Sequence, residues 1–127
     1  MEENSIGKVV VDAAIAVHRE VGPGLLETVY ELVLLDELQN RGLVAKRQVP
    51  IPIHIRGIQF DEAFRADIIV ENKVILELKC VEKTSLAHKK QLLTYLKLSG
   101  MKLGYLLNFA EAMMKDGITR TVNGLPE

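Results

Sequence analysis

Two apolar runs separated by a three-residue polar gap constrain this chain more than any other feature. Ala66-Asp67-Ile68-Ile69-Val70 and Val74-Ile-Leu-Glu77-Leu-Lys79-Cys80-Val81 flank Glu71-Asn72-Lys73. Short runs rich in β-branched residues around a polar break read as two strands of a hairpin, about Ala63–Val70 and Val74–Val81. If Val70 pairs with Val74, Asp67 falls directly opposite Glu77, with about 4.5–5.5 Å between Cβ atoms. Period-two alternation puts Lys79 on the same face as Glu77. A charge in a strand built for burial is costly unless something pairs with it or a metal uses it. A divalent cation between Asp67 and Glu77 compensates the pair. A cross-strand ion pair of Asp67 or Glu77 with Lys79, at a solvated sheet margin, is the alternative. Spacing alone does not separate the two.

The rest of the chain supplies helices on either side of these strands. Ile6, Val9, Val10, Ala13, Ala14, Val17 and Val21 recur at helical spacing, so Ile6–Val21 reads as an amphipathic helix. Asn4 or Ser5 is placed to cap it, and Gly22-Pro23-Gly24 to stop it. A second helix runs from about Leu25 to Asn40, with Gly42 as its stop signal. Its apolar residues cover most of its circumference, which predicts burial on more than one side. Val49-Pro-Ile-Pro-Ile-His-Ile55 alternates strictly, and Pro50 and Pro52 make it an edge strand. Leu86–Ser99 reads as a third helix ended by Gly100, and Lys102–Phe109 as a last core strand. Ile118–Val122 is a weak further strand. The order α-α-β-β-β-α-β predicts one α/β domain over residues 1–127, a central mixed sheet flanked by helices.

A chain of 127 residues can build a real core, and no apolar run approaches the roughly 18 residues that span a bilayer. A lone cysteine, Cys80, excludes an internal disulfide. With the acidic start Met1-Glu-Glu-Asn-Ser5, it predicts a cytoplasmic protein with no membrane partner. The net charge of −1 conceals a gradient. Residues 1–79 hold 9 Lys/Arg against 13 Asp/Glu, and residues 80–127 hold 7 against 4. Such a split suits phosphate binding beside an acidic cation site, and equally an ordinary surface. No phosphate-binding loop, dinucleotide fingerprint or serine-nucleophile motif is present, and no histidine pair has zinc-ligand spacing. His18 and His54 are expected on the surface, His88 on solvated helix, and Cys80 in the core.

Asp67…Glu77-Leu78-Lys79 resembles the motif of the PD-(D/E)XK nuclease superfamily. Gly24-Leu-Leu-Glu27-Thr-Val-Tyr30 looks like the namesake motif of its GxxExxY family. Val21-Gly-Pro-Gly24 and Lys115-Asp-Gly-Ile-Thr-Arg120 also look like that family, so the resemblance runs from about Ile6 to Asn123. It departs in one place: Ala66, not proline, precedes Asp67. The resemblance implies a restriction-endonuclease-like fold and a metal-dependent nuclease acting on DNA, with Mg²⁺ or Mn²⁺ as cofactor. It makes Asp67 and Glu77 metal ligands and catalytic residues, Lys79 the catalytic lysine, and Glu27 a further metal ligand. Gln91 and Tyr95 resemble the Q-x-x-x-Y motif of RecB-like nucleases and are implied to contact substrate, since their i, i+4 spacing puts both on one helix face. By their own chemistry, Glu27 also suits a helix first turn and Tyr30 a core position with a bonded hydroxyl. So small a chain has little surface for gripping a duplex, which leaves room for a homodimer or a protein partner. A catalytically silent binding module with the same fold, or a structural oligomer subunit, is the rival reading.

Overall fold

Hydrophobic periodicity sets the helices, and the apolar runs set the sheet between them. The computed structural model describes residues 1–126. Helix α1 spans Glu3–Val21, α2 Glu27–Asn40 and α3 Leu86–Ser99. The strands are β1 Ala45–Ile55, β2 Ile58–Val70, β3 Val74–Lys79, β4 Leu103–Asn108 and β5 Ile118–Val122, the last preceded by a short 3₁₀ turn, Met114–Gly117. They form a single sheet in the order β1-β2-β3-β4-β5. Only β3 and β4 run parallel, because α3 carries the chain back across one face between them. This is the predicted α/β architecture, with the weak tail strand realised as β5. No helix is long and apolar enough to cross a membrane.

The sheet separates two cores. Helices α1 and α2 cover one face, where Ile6, Val10, Leu34 and Leu38 meet Ile68, Val70 and Leu76. Helix α3 covers the other, where Leu92 and Leu96 meet Ile69, Ile75 and Leu106. Burying both faces explains why β3 and β4 read as near-continuous apolar runs. Strand β1 is an edge, as its prolines require, and its ladder with β2 shifts register between Ile51 and Ile53, around Pro52.

Strands β1 and β2 change sides part-way along. Ala45 packs toward α1 and α2, whereas Val49 and Ile51 pack toward α3. On β2, Ile68 and Val70 face the first core, whereas Phe64 and Ala66 face the second. Unbroken alternation would keep each set on one side. The switch falls at Gln48 and Asp67, and Gln48 has a left-handed backbone, φ +52°. A non-glycine residue held there costs about 1–3 kcal/mol.

Three expectations are corrected. Helix α1 starts earlier, at Glu3, with Glu2 as a cap that makes no side-chain bond. Asn4 and Ser5 therefore lie inside the first turn, and Asn4 accepts a hydrogen bond from Arg120 at 2.7 Å. Helix α2 is buried on one side only. It starts at Glu27 rather than Leu25, hides Tyr30, Glu31, Leu34 and Leu38, and leaves Val29 and Leu32 exposed, as are Leu25 and Leu26 just before it. It lies beside α1 on a single sheet face, with no outer layer to cover its far side. Its end is a Schellman turn: Gly42, φ +86°, donates to Gln39 O, and Leu43 donates to Leu38 O. His18 is buried rather than exposed. Its Nε2 lies 2.7 Å from the Glu111 carbonyl and its ring stacks near Phe109, because the loop after β4 folds back over α1.

Gly117 locks that loop in place. A Cβ at this position would run into the backbone carbonyl of Asn108, which cannot yield without moving the end of β4. Gly117→Ala is expected to destabilise the protein by about 1–3 kcal/mol. In urea unfolding, the midpoint should fall while the slope stays unchanged.

Candidate active site

The regular β2–β3 ladder runs through Val70↔Val74, Ile69↔Ile75 and Ile68↔Leu76 and then stops. The predicted register is correct, but Asp67 and Glu77 are not its next backbone pair. Their side chains take over. The Asp67 N–H donates to Glu77 Oε2 at 2.8 Å, and the Leu78 N–H donates to Asp67 Oδ2 at 2.8 Å. Each carboxylate replaces a ladder acceptor lost where the strands part. Each is thereby fixed through one oxygen, and Gln48 also acts on Asp67 by side-chain hydrogen bonding.

Burial makes this pair electrostatically costly. Glu77 is only 8% exposed. Desolvation, and then the nearby Asp67 charge, push its pKa up to about 8. Asp67 is raised by desolvation, against the pull of the Leu78 N–H. Glu27, the first residue of α2, is raised by partial burial and by Asp67, while Lys79 opposes the shift. Lys79 acts in the same direction on Asp67 and Glu77. Among the described residues, Lys79 nevertheless makes no ion pair with either carboxylate. The cross-strand ion pair is therefore absent, and no ion pair offsets the cost of ionising both carboxyl groups.

The end of β3 is anchored from β4. Lys79 pairs with Asn108, and its carbonyl accepts from the Phe109 N–H at 2.9 Å. The buried Asn108 carboxamide accepts from the Val81 N–H and donates to the Val81 carbonyl. The backbone that carries Lys79 is thus held on both sides of the residue.

A family model of the PD-(D/E)XK nuclease superfamily matches residues 4–121. The chain belongs to this superfamily. The crystal structure of SSO0001 shares the fold, with a TM-score of 0.54 and 22% identity, over 93% of this chain and 67% of that one. No curated protein matches the chain.

Members of the superfamily usually use divalent metals. Among the described residues, no three His, Cys, Asp or Glu side chains are already grouped as a metal-ion site. The donor chemistry nonetheless fits a hard cation. Asp67 and Glu77 offer carboxylate oxygens, the ligands such ions prefer, and their mutual repulsion is what a cation relieves. Glu27 lines one pocket with Asp67 and is exposed at the start of its helix, so it is free to adjust.

The other expected residues divide. Tyr95 stacks on Phe64, with ring centroids 3.8 Å apart and planes 2° apart. Its hydroxyl pKa is raised by burial and then by the charges of Glu77 and Asp67, so it feels their field. Gln91, one turn earlier, is exposed, and its side chain makes no hydrogen bond among the described residues. Tyr30 is a structural residue: its hydroxyl donates to Gly22 O at 2.6 Å and accepts from the Leu25 N–H, closing the turn before α2. His88 completes the capping box of α3 with Ser85. Cys80 packs half-buried against the first core, and burial raises its thiol pKa.

Sequence reading missed Glu31, Arg47 and Gln48, which line the same pocket of about 340 Å³ as Glu27 and Asp67. The rule that singled out Asp67 would have found Glu31, since it is a carboxylate amid the apolar residues of α2. Arg47 and Gln48 carried no such signal, because their placement depends on the side change in β1.

Folded Glu77 keeps its proton to about pH 8, against an ordinary 4.5, so the folded state binds more protons than the unfolded between those values. Stability of the metal-free protein must then fall as pH rises through that window. In EDTA, the melting temperature is expected to drop between pH 5 and 8, and Glu77→Gln to flatten the decline. A flat wild-type profile would contradict the burial of Glu77.

Proposed function

We propose that this nuclease-superfamily domain is a metal-dependent phosphodiesterase that cuts DNA, and that it belongs to the GxxExxY branch through Gly24, Glu27 and Tyr30. The observation that carries the reading is the pair Asp67 and Glu77, fixed by backbone N–H groups between parting strands, mutually repelling and unpaired with Lys79. A neutral side chain could accept those backbone bonds at less cost than a carboxylate, so the choice of two buried carboxylates points to a role beyond capping the strands.

Asp67 and Glu77 would hold the cation, with Glu27 as a third ligand. The chemistry supplied by bound Mg²⁺ or Mn²⁺ is Lewis acidity toward a phosphoryl oxygen. Lys79, at the end of β3, orients the attacking water and offsets charge developing on the phosphate. Tyr95 and Gln91, one turn apart on α3, contact the substrate in this reading, a role that rests on the family likeness. The DNA preference rests on the family likeness.

Pure protein is expected to cleave DNA with Mg²⁺ or Mn²⁺ and not in EDTA. Lys79→Ala and Glu77→Ala, each still folded, should lose at least about 100-fold in rate. Calorimetry should find divalent-metal binding that Glu77→Ala abolishes. Equal cleavage by the variants would mean a contaminant, and DNA binding without cleavage in either metal would mean a silent binding module.

A further inference from the structure

Glu31 lies one turn after Glu27 on α2 and is only 5% exposed. A carboxylate this deep has to be paired. Its Oε2 accepts from Arg47 Nε at 3.0 Å and from Arg47 Nη2 at 2.6 Å, and its Oε1 accepts from Gln48 Nε2 at 2.7 Å. Arg47 reaches Glu31 only because the chain is left-handed at Gln48. Had β1 kept the alternation of Val49 and Ile51, Arg47 would lie against α3.

The ion pair does not use up the guanidinium. Glu31 takes Nε and one Nη, the other Nη makes no hydrogen bond among the described residues, and 37% of the side chain is exposed. Arg47 lines the pocket that contains Glu27 and Asp67, and among the lining residues it alone is cationic. A phosphodiester drawn toward Asp67 and Glu77 meets a cluster of negative charge. An arginine already immobilised at the rim offsets that repulsion, and its planar fork matches phosphate oxygens.

We propose that Arg47, held in place by Glu31, grips a phosphate of the nucleic-acid backbone beside the one to be cleaved. This rests on the nuclease reading above and adds a substrate contact outside the carboxylate–lysine set.

The test is binding of a fluorescent DNA duplex, in EDTA, over a series of salt concentrations. Arg47→Met should weaken binding about tenfold and reduce the slope of log affinity against log salt by about 0.9. Arg47→Lys should keep the slope and lose part of the affinity, since a point charge cannot fork. Arg47→Met leaves Glu31 buried without its partner, so the double variant Glu31→Gln/Arg47→Met separates stability from binding. It should show the same binding loss with a melting temperature near that of the wild type. Unchanged affinity and slope in the double variant, with only Arg47→Met melting lower, would reduce Arg47 to the counterion of Glu31 and overturn the proposal. If the wild type cleaves DNA while these variants bind normally, this inference fails alone. If the wild type neither binds the duplex nor cleaves it with Mg²⁺ or Mn²⁺, the nuclease reading fails and takes this one with it.

Discussion

Where β2 and β3 part, two backbone N–H groups donate to carboxylates of the opposite strand instead of to its backbone carbonyls. The site depends on this exchange. A sheet whose strands diverge leaves N–H groups without ladder partners, and buried donors must be satisfied. Asp67 and Glu77 satisfy them, and in return their own orientation is set by the main chain rather than by flexible side-chain partners. The same bonds hold two carboxyl groups close together at a partly desolvated place, where ionising both is costly.

The surrounding architecture delivers other groups to that point. The parallel pairing of β3 with β4 sends α3 across one face, which stacks Tyr95 on Phe64 of β2 within the field of the carboxylates. The side change of β1 and β2 at Gln48 and Asp67 lets one hairpin serve both cores. It also turns Arg47 and Gln48 toward Glu31 on α2. The strained backbone at Gln48 is thus tied to the pocket, as strain at functional sites often is.

Much of this was legible from local patterns. The hairpin register through Ile68↔Leu76, the third helix at Leu86–Ser99, the edge strand with its two prolines and the order of elements along the chain were all readable, because periodicity and turn residues act over a few positions. Features that depend on distant packing were not. The apolar circumference of α2 gave no sign that Leu26 and Leu32 would stay exposed, since that depends on how many layers lie outside the helix. His18 looked like surface until the loop carrying Glu111 closed over it. In the site, Asp67 and Glu77 stood out as charges in apolar strands. Glu31 escaped notice because a helix dense in leucine can hide a carboxylate as readily as expose it.

The amino-acid sequence by itself determined the α/β class, the hairpin that brings Asp67 toward Glu77, and membership of the nuclease superfamily, because hydrophobic period, turn residues and a spaced motif are local properties. Only the tertiary structure decided that these carboxylates cap parting strands rather than face each other across a regular ladder. It alone decided that Lys79 stays out of an ion pair, and that Arg47 joins the pocket of Glu27 and Asp67. Those outcomes depend on where a sheet twists and which helix lies over it, which no single segment encodes.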